Sequence, residues 1–235
     1  MDRTESKKRK ELVYDLPTRL FHWLFAVLFL SAFGIAKTID DESRVFTFHM
    51  LLGLTLGGLV LWRIVWGVMG SQYARFSQFA LRPRELVSYL TGIVSNKKEN
   101  WTGHNPASSW ASLFMMGSGL GLVLSGVLMI LGTGKEFLEE FHEWFATSFA
   151  VLVILHICGL ILHSMRYRDG IALSMVTGKK EDVTKPISKV HFGTAAFLLA
   201  LLLGWAIYLF QNFDSQSQKL RLPGLTLQLG EPITD

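Results

Sequence analysis

Apolar residues fall into five long runs, residues 20–36, 46–69, 110–131, 141–163 and 191–210, separated by polar stretches that carry the charge. At 1.5 Å per helical residue each run is long enough to cross a hydrocarbon core about 30 Å thick. Between the second and third runs, residues 83–90 (PRELVSYL) have the pattern of a short amphipathic helix lying on the membrane surface. After the fifth run the pattern changes. Residues 211–218 are polar and read as a flexible tether, and then leucines at 220, 222, 225, 227 and 229 alternate on either side of Pro223 and Gly224. That is the period of a strand and a turn. The expectation is an all-α integral membrane protein, a four-helix bundle plus a fifth C-terminal transmembrane helix. It divides into a basic arm (1–16), a four-helix domain (17–180), a loop with the fifth helix (181–210) and a tail (211–235).

Pro17 is placed to open the first helix. A basic stretch before an apolar run also describes a secretory leader, but His22 interrupts the run near its start and no small-residue cleavage site follows. The run is read as a retained helix, and residues 1–16 as a disordered cytoplasmic arm.

Charge sets the orientation. The net charge is +4, yet 18 of the 23 Lys and Arg lie on one side: in the N-terminal arm, at Arg63, and in the second-to-third and fourth-to-fifth connections, where Lys97, Lys98 and Arg168 are found. The positive-inside rule then puts the N-terminus in the cytoplasm and the C-terminal tail in the periplasm. Basic residues confined to loops read as topology, so nucleic acid is excluded as a partner. The one cysteine, Cys158, offers neither a disulfide nor a Cys-x-x-Cys-His haem attachment.

Histidines inside such runs are costly and usually functional. His142 and His156 are fourteen residues apart on the fourth run, close to four turns, which leaves them near one face and roughly 21 Å apart along the axis. That is too far for one metal and suits two. With the predicted topology His49 is level with His142 at the outer end, and His22 with His156 at the inner end. Two stacked haems, each held by imidazoles from facing helices, fit this arrangement. His163 and His191 compete on the inner side but sit at the edge of their runs. Gly53 would let a porphyrin plane approach the backbone, and the Gly117, Gly121, Ser125 repeat gives one small-residue face for close approach of a helix or a flat ligand. Arg19 and Arg63 are candidates to pair haem propionates. Glu143 is read as a cap or as a partner to a ligand. His104 and Asn105 are candidates for a quinone site on the inner side, where His104 would exchange a proton at neutral pH. The competing reading of Asn105-Pro106 is a helix-start turn.

Residues 14–23 (YDLPTRLFHW), His49 with Gly53, 61–67 (LWRIVWG), 70–76 (GSQYARF), 103–106 (GHNP), His142-Glu143 with His156, and 175–179 (MVTGK) together resemble the bacterial di-haem b-type cytochromes. That family includes the cytochrome b subunits of membrane-bound nickel–iron hydrogenases. The resemblance spans about residues 13–180 and implies a four-helix bundle with two non-covalent haems b, whose ligands correspond to His22, His49, His142 and His156. It further implies electron transfer in the bacterial inner membrane between a quinone pool and a periplasmic redox protein, either a hydrogenase-type iron–sulfur subunit or a c-type cytochrome. Two other readings stand beside it: a stand-alone superoxide:quinone oxidoreductase, and a non-redox membrane anchor.

Overall fold

A computed structural model describes residues 10–95, 101–167, 170–181 and 183–230. Most of the predicted basic arm, Lys97, Lys98, Arg168 and the last five residues lie outside these. Five helices are long and apolar enough to cross a membrane: α1 (Leu16–Thr38), α2 (Phe46–Met69), α4 (Pro106–Ile130), α5 (Lys135–Tyr167) and α7 (Phe192–Asn212). The two shorter ones are α3 (Pro83–Val94) and α6 (Ile171–Thr177). The chain is a multi-pass, all-α membrane protein.

The helices begin where local chemistry satisfies their first N–H groups. The Asp15 carboxylate accepts from Thr18 N at 2.8 Å and Pro17 fills the first turn of α1. Asn105 does the same for α4, accepting from Ser108 N at 2.8 Å before Pro106. Two antiparallel pairs result, α1 with α2 and α4 with α5, and they meet mainly through α2 and α4. Gly121 allows α4 to close on α5, since a Cβ there would lie 2.5 Å from the Phe145 ring. Gly117 is open to the surroundings. Within the small-residue repeat, Gly121 thus serves helix contact.

Halfway along the bundle Phe25 and Phe29 of α1 meet Phe149 of α5, with ring centres 5.4 and 4.3 Å from it. Gly119 of α4 fits against them, its Cβ position 3.2 Å from Phe25. Phe149 is seven residues from both His142 and His156, so this aromatic layer divides the interior into an upper and a lower half. α7 packs outside α1 and α2, with Leu198 and Leu202 in the same core as Leu59 and Val60.

The amphipathic stretch forms α3 as predicted. It buries Tyr89 and leaves Val87 and Leu90 exposed, the two-sided character of a helix at a membrane surface. Arg166 at the end of α5 fastens it by donating to the carbonyls of Ile93 and Gly92 at 2.7 and 3.1 Å.

The first and last described segments depart from expectation. Residues 10–15 are folded. β1 (Glu11–Leu12) pairs antiparallel with β2 (Lys179–Lys180), and Val13, Tyr14 and Asp15 are buried. Val13 N and Tyr14 N both donate to Gly178 O. A strand needs a partner that periodicity cannot reveal, and this one lies more than 160 residues away.

The tail is no tether either. α7 continues to Asn212, and β3 (Phe213–Asp214), β4 (Lys219–Leu222) and β5 (Leu225–Gln228) form an antiparallel meander in that order. The alternating leucines do mark strands, turning at Gly224 with φ +75°. Leu220, Leu227 and Leu229 are buried against Leu51 of α2 and Leu209 of α7, each such burial contributing about 1.5–3 kcal/mol. The polar residues before them are consumed in the turn, where Asp214 Oδ1 accepts from Gln216 N at 2.9 Å.

Candidate functional site

His49 lies in the first turn of α2 and His142 two turns into α5. Their ring centres are 6.0 Å apart, at an interplanar angle of 74°. An ion bonded at about 2 Å by each of two imidazole nitrogens sits between rings whose centres are about 6 Å apart, so this pair has the spacing for one shared ion.

The hydrogen bonds behind the rings point the same way. His49 Nδ1 donates to Ala32 O of α1 at 2.8 Å. Ser125 Oγ donates to Gly121 O at 2.7 Å and so accepts from His142 Nδ1 at 3.0 Å. Each Nδ1 thus carries the proton, and each Nε2 keeps its lone pair. Outer partners of this kind fix the orientation of metal-binding histidines. Gly53, one turn beyond His49, is half-buried, yet a Cβ there would meet nothing within 4 Å. Space has been left beside the pair, of the kind a flat ring requires. Ser125 and the Ala32 carbonyl were not read from the sequence as partners. Ser125, seventeen residues before His142 on the preceding helix, was a signal that could have found one of them.

The second pair, His22 of α1 and His156 of α5, lies on the other side of the phenylalanine layer, close enough for their charges to interact. Both are half-buried, and among the described residues neither ring makes a hydrogen bond within the chain. No group of three or more His, Cys, Asp or Glu that could hold a metal ion occurs among the described residues. What this fold offers is pairs.

Arg63 lies near this lower level. It is buried, stacked on Phe76 at 4.6 Å and Phe21 at 5.8 Å, near Asp15, with Nη1 lacking a hydrogen-bond partner. A buried cation with an unused donor is costly unless an acceptor reaches it. Gly67 makes the stacking possible, because a Cβ there would lie 2.2 Å from the Phe76 ring. Arg19 is committed differently, its Nη2 donating to Val176 O beside Trp23 Nε1, which donates to Met175 O at 3.0 Å. The MVTGK segment is thus a clasp on the start of α1. Glu143 forms an exposed ion pair with Lys37 at 3.3 Å.

The quinone candidates change character. Asn105 caps α4 through Oδ1 and donates from Nδ2 to Tyr89 Oη at 3.1 Å. Tyr89 Oη in turn lies 3.2 Å from His163 Nδ1. The helix-start reading therefore describes Asn105, and His163 is a buried member of the same network. His104 sits between Tyr14 and Phe79, ring centres at 5.7 and 4.9 Å. Burial first, then Arg63 and His156, pushes its pKa down to about 4. That shift favours the neutral imidazole at pH 7. His191 stands at the start of α7 with its ring edge-on to Trp66 at 5.4 Å.

Among known proteins, the chain is similar to probable nickel–iron hydrogenase B-type cytochrome subunits. It is 24% identical to that of hydrogenase 1 of Escherichia coli K12 over 162 residues, covering 56% of this chain and 68% of the relative. With the Cupriavidus necator protein it shares 24% identity over 209 residues, covering 71% and 85% respectively. For Rhizobium leguminosarum the figures are 21% over 216 residues, covering 74% and 90%. No solved structure matches the chain. The family described as prokaryotic cytochrome b561 matches residues 13–178. That match runs from the residue after β1 to the glycine that closes α6, taking in both histidine pairs, and by it the chain belongs to the prokaryotic cytochrome b561 family.

Proposed function

We propose that electron transfer by this b-type cytochrome runs through two haems b, one between His49 and His142 and one between His22 and His156, linking a quinone at one face to a redox protein at the other. The observation that carries this reading is the upper pair: ring centres 6.0 Å apart with both Nδ1 atoms engaged from behind. Bound haem supplies a one-electron couple whose potential is set by its ligands and surroundings. The chain's part is to hold four imidazoles at two depths, exclude water between them with Phe25, Phe29 and Phe149, and present charge where it is needed.

Arg63, buried with a free Nη1, serves the lower haem by pairing a propionate. Arg19 is the weaker candidate, since Val176 O already takes one of its donors. Quinone binds on the lower side near His104, which acts there as a neutral hydrogen-bonding imidazole, while Asn105 positions that turn through its cap. The lower side faces the cytoplasm, because most Lys and Arg lie there. The upper side, with the C-terminal meander, faces the periplasm of a bacterial inner membrane. The periplasmic partner is an iron–sulfur subunit of hydrogenase type, the assembly that the relatives' names carry, with a c-type cytochrome as the alternative.

Reconstitution in liposomes tests this. Quinol should reduce both haems, and a membrane-impermeant ferricyanide pool should be reduced only when it faces the C-terminal side. Haem that quinol does not reduce, or ferricyanide reduced equally from either side, would overturn the directional reading.

A further inference from the structure

α2 begins without a side-chain cap at Val45, and no acidic residue stands in the first turn. The first N–H groups are met by the preceding turn instead, Phe46 N, Thr47 N and Phe48 N donating to Ser43 O, Arg44 O and Val45 O at 2.8, 3.3 and 3.1 Å. His49 lies in that turn. The helix splits its faces there: Phe46 stacks on His49 at 5.1 Å and Gly53 lies one turn on, while Thr47, Leu51 and Leu54 point the other way, toward the C-terminal segment.

What they meet is the meander. Thr47 Oγ1 donates to Gln218 Oε1 at 2.6 Å, and both residues are buried. Gln218 Nε2 donates to Ser215 O at 2.6 Å, and its carbonyl accepts from Leu229 N at 2.9 Å. Leu51 is enclosed by Leu220, Leu227 and Leu229. Phe48 meets Phe210 of α7 at 6.2 Å. Gln218 has φ +54°, a left-handed conformation that glycine adopts without strain and glutamine does not. A glutamine kept there has its value in the side chain.

We propose that the C-terminal meander is a clamp on the first turn of α2, with Gln218 and Thr47 as positioning residues that hold His49 toward His142. The inference rests on the reading of His49 as a haem ligand. Residues 213–229 lie beyond the span that the family match covers, and the clamp acts on one of the two haem sites. The other site, at His22 and His156, lies on the far side of the phenylalanine layer.

Thr47→Val, which keeps the shape and removes the hydroxyl, and Gln218→Gly, which relieves the backbone while removing the amide, test the clamp in the full chain. Amide hydrogen exchange of residues 46–51 should quicken roughly fivefold, the factor expected for an ordinary hydrogen bond. The outer haem, assigned as the one missing from His142→Ala, should dissociate faster by a similar factor and shift its potential, with the inner haem unchanged. Thr47→Ser should behave as the parent. Unchanged exchange at 46–51, or equal effects on both haems, would overturn the proposal. Exchange is read without reference to haem, so a parent found to hold fewer than two haems would refute the two-haem reading and leave the clamp to be judged by exchange alone.

Discussion

A histidine's role here is decided by what stands behind its ring. His49 and His142 have their Nδ1 atoms engaged by Ala32 O and Ser125 Oγ, which leaves one nitrogen of each for a ligand. His163 has Nδ1 against Tyr89 Oη and a ring stacked on Tyr167 at 4.3 Å, a structural setting. His104 is held neutral by its surroundings, with a pKa of about 4. An unfolded chain would protonate it below about pH 6.5, while the folded chain resists down to about 4. Its contribution to stability is therefore fully present above pH 6.5 and lost as pH falls towards 4. His104→Gln should flatten that part of the stability–pH curve, read by thermal unfolding at several pH values. A curve of unchanged slope would show that His104 does not stay neutral in the fold. The spacing of His49, His142 and His156 was legible in the sequence because a helix converts residue count into depth. The state of His104 was not, since Arg63 and His156, which shape it, come from other helices.

The helices follow from hydropathy, and their contacts from a few small residues. Lipid is as apolar as the side chains, so close packing rather than water exclusion holds α4 to α5, and at Gly121 a Cβ would lie 2.5 Å from the Phe145 ring. Gly121→Val would push Phe145 away. It should cost about 1–3 kcal/mol and loosen His142, which stands three residues before Phe145 and bonds Ser125 one turn after Gly121. Thermal unfolding and the occupancy of the outer haem would both fall. A variant with wild-type occupancy would show that α4 and α5 do not set the His142 position. The sequence marked Gly117, Gly121 and Ser125 as one face, and Gly121 meets Phe145 of α5 there while Gly117 stays open. Periodicity gives the face of a helix but not the neighbour that occupies it. Asn105 is a similar case: its capping role follows from its place before Pro106, whereas its bond to Tyr89 of α3 depends on how the helices assemble.

At the scale of the whole molecule, a phenylalanine layer separates two histidine pairs within one bundle, and residues 10–15 and 213–230 are folded back onto it. The N-terminal segment clasps the lower end through Gly178, and the meander covers the upper end through Leu220, Leu227 and Leu229. The composition of a stretch does not name the distant neighbour it packs on, so neither closure could be fixed from the sequence. The central claim is that each pair holds one haem, and a redox-titrated visible spectrum with a haem-to-protein ratio tests it most directly on the parent, His142→Ala and His156→Ala. Two low-spin b haems per parent chain and one in each variant, with a different haem missing from the two, is the expected result. Two haems retained in either variant, or the same haem lost from both, would contradict it.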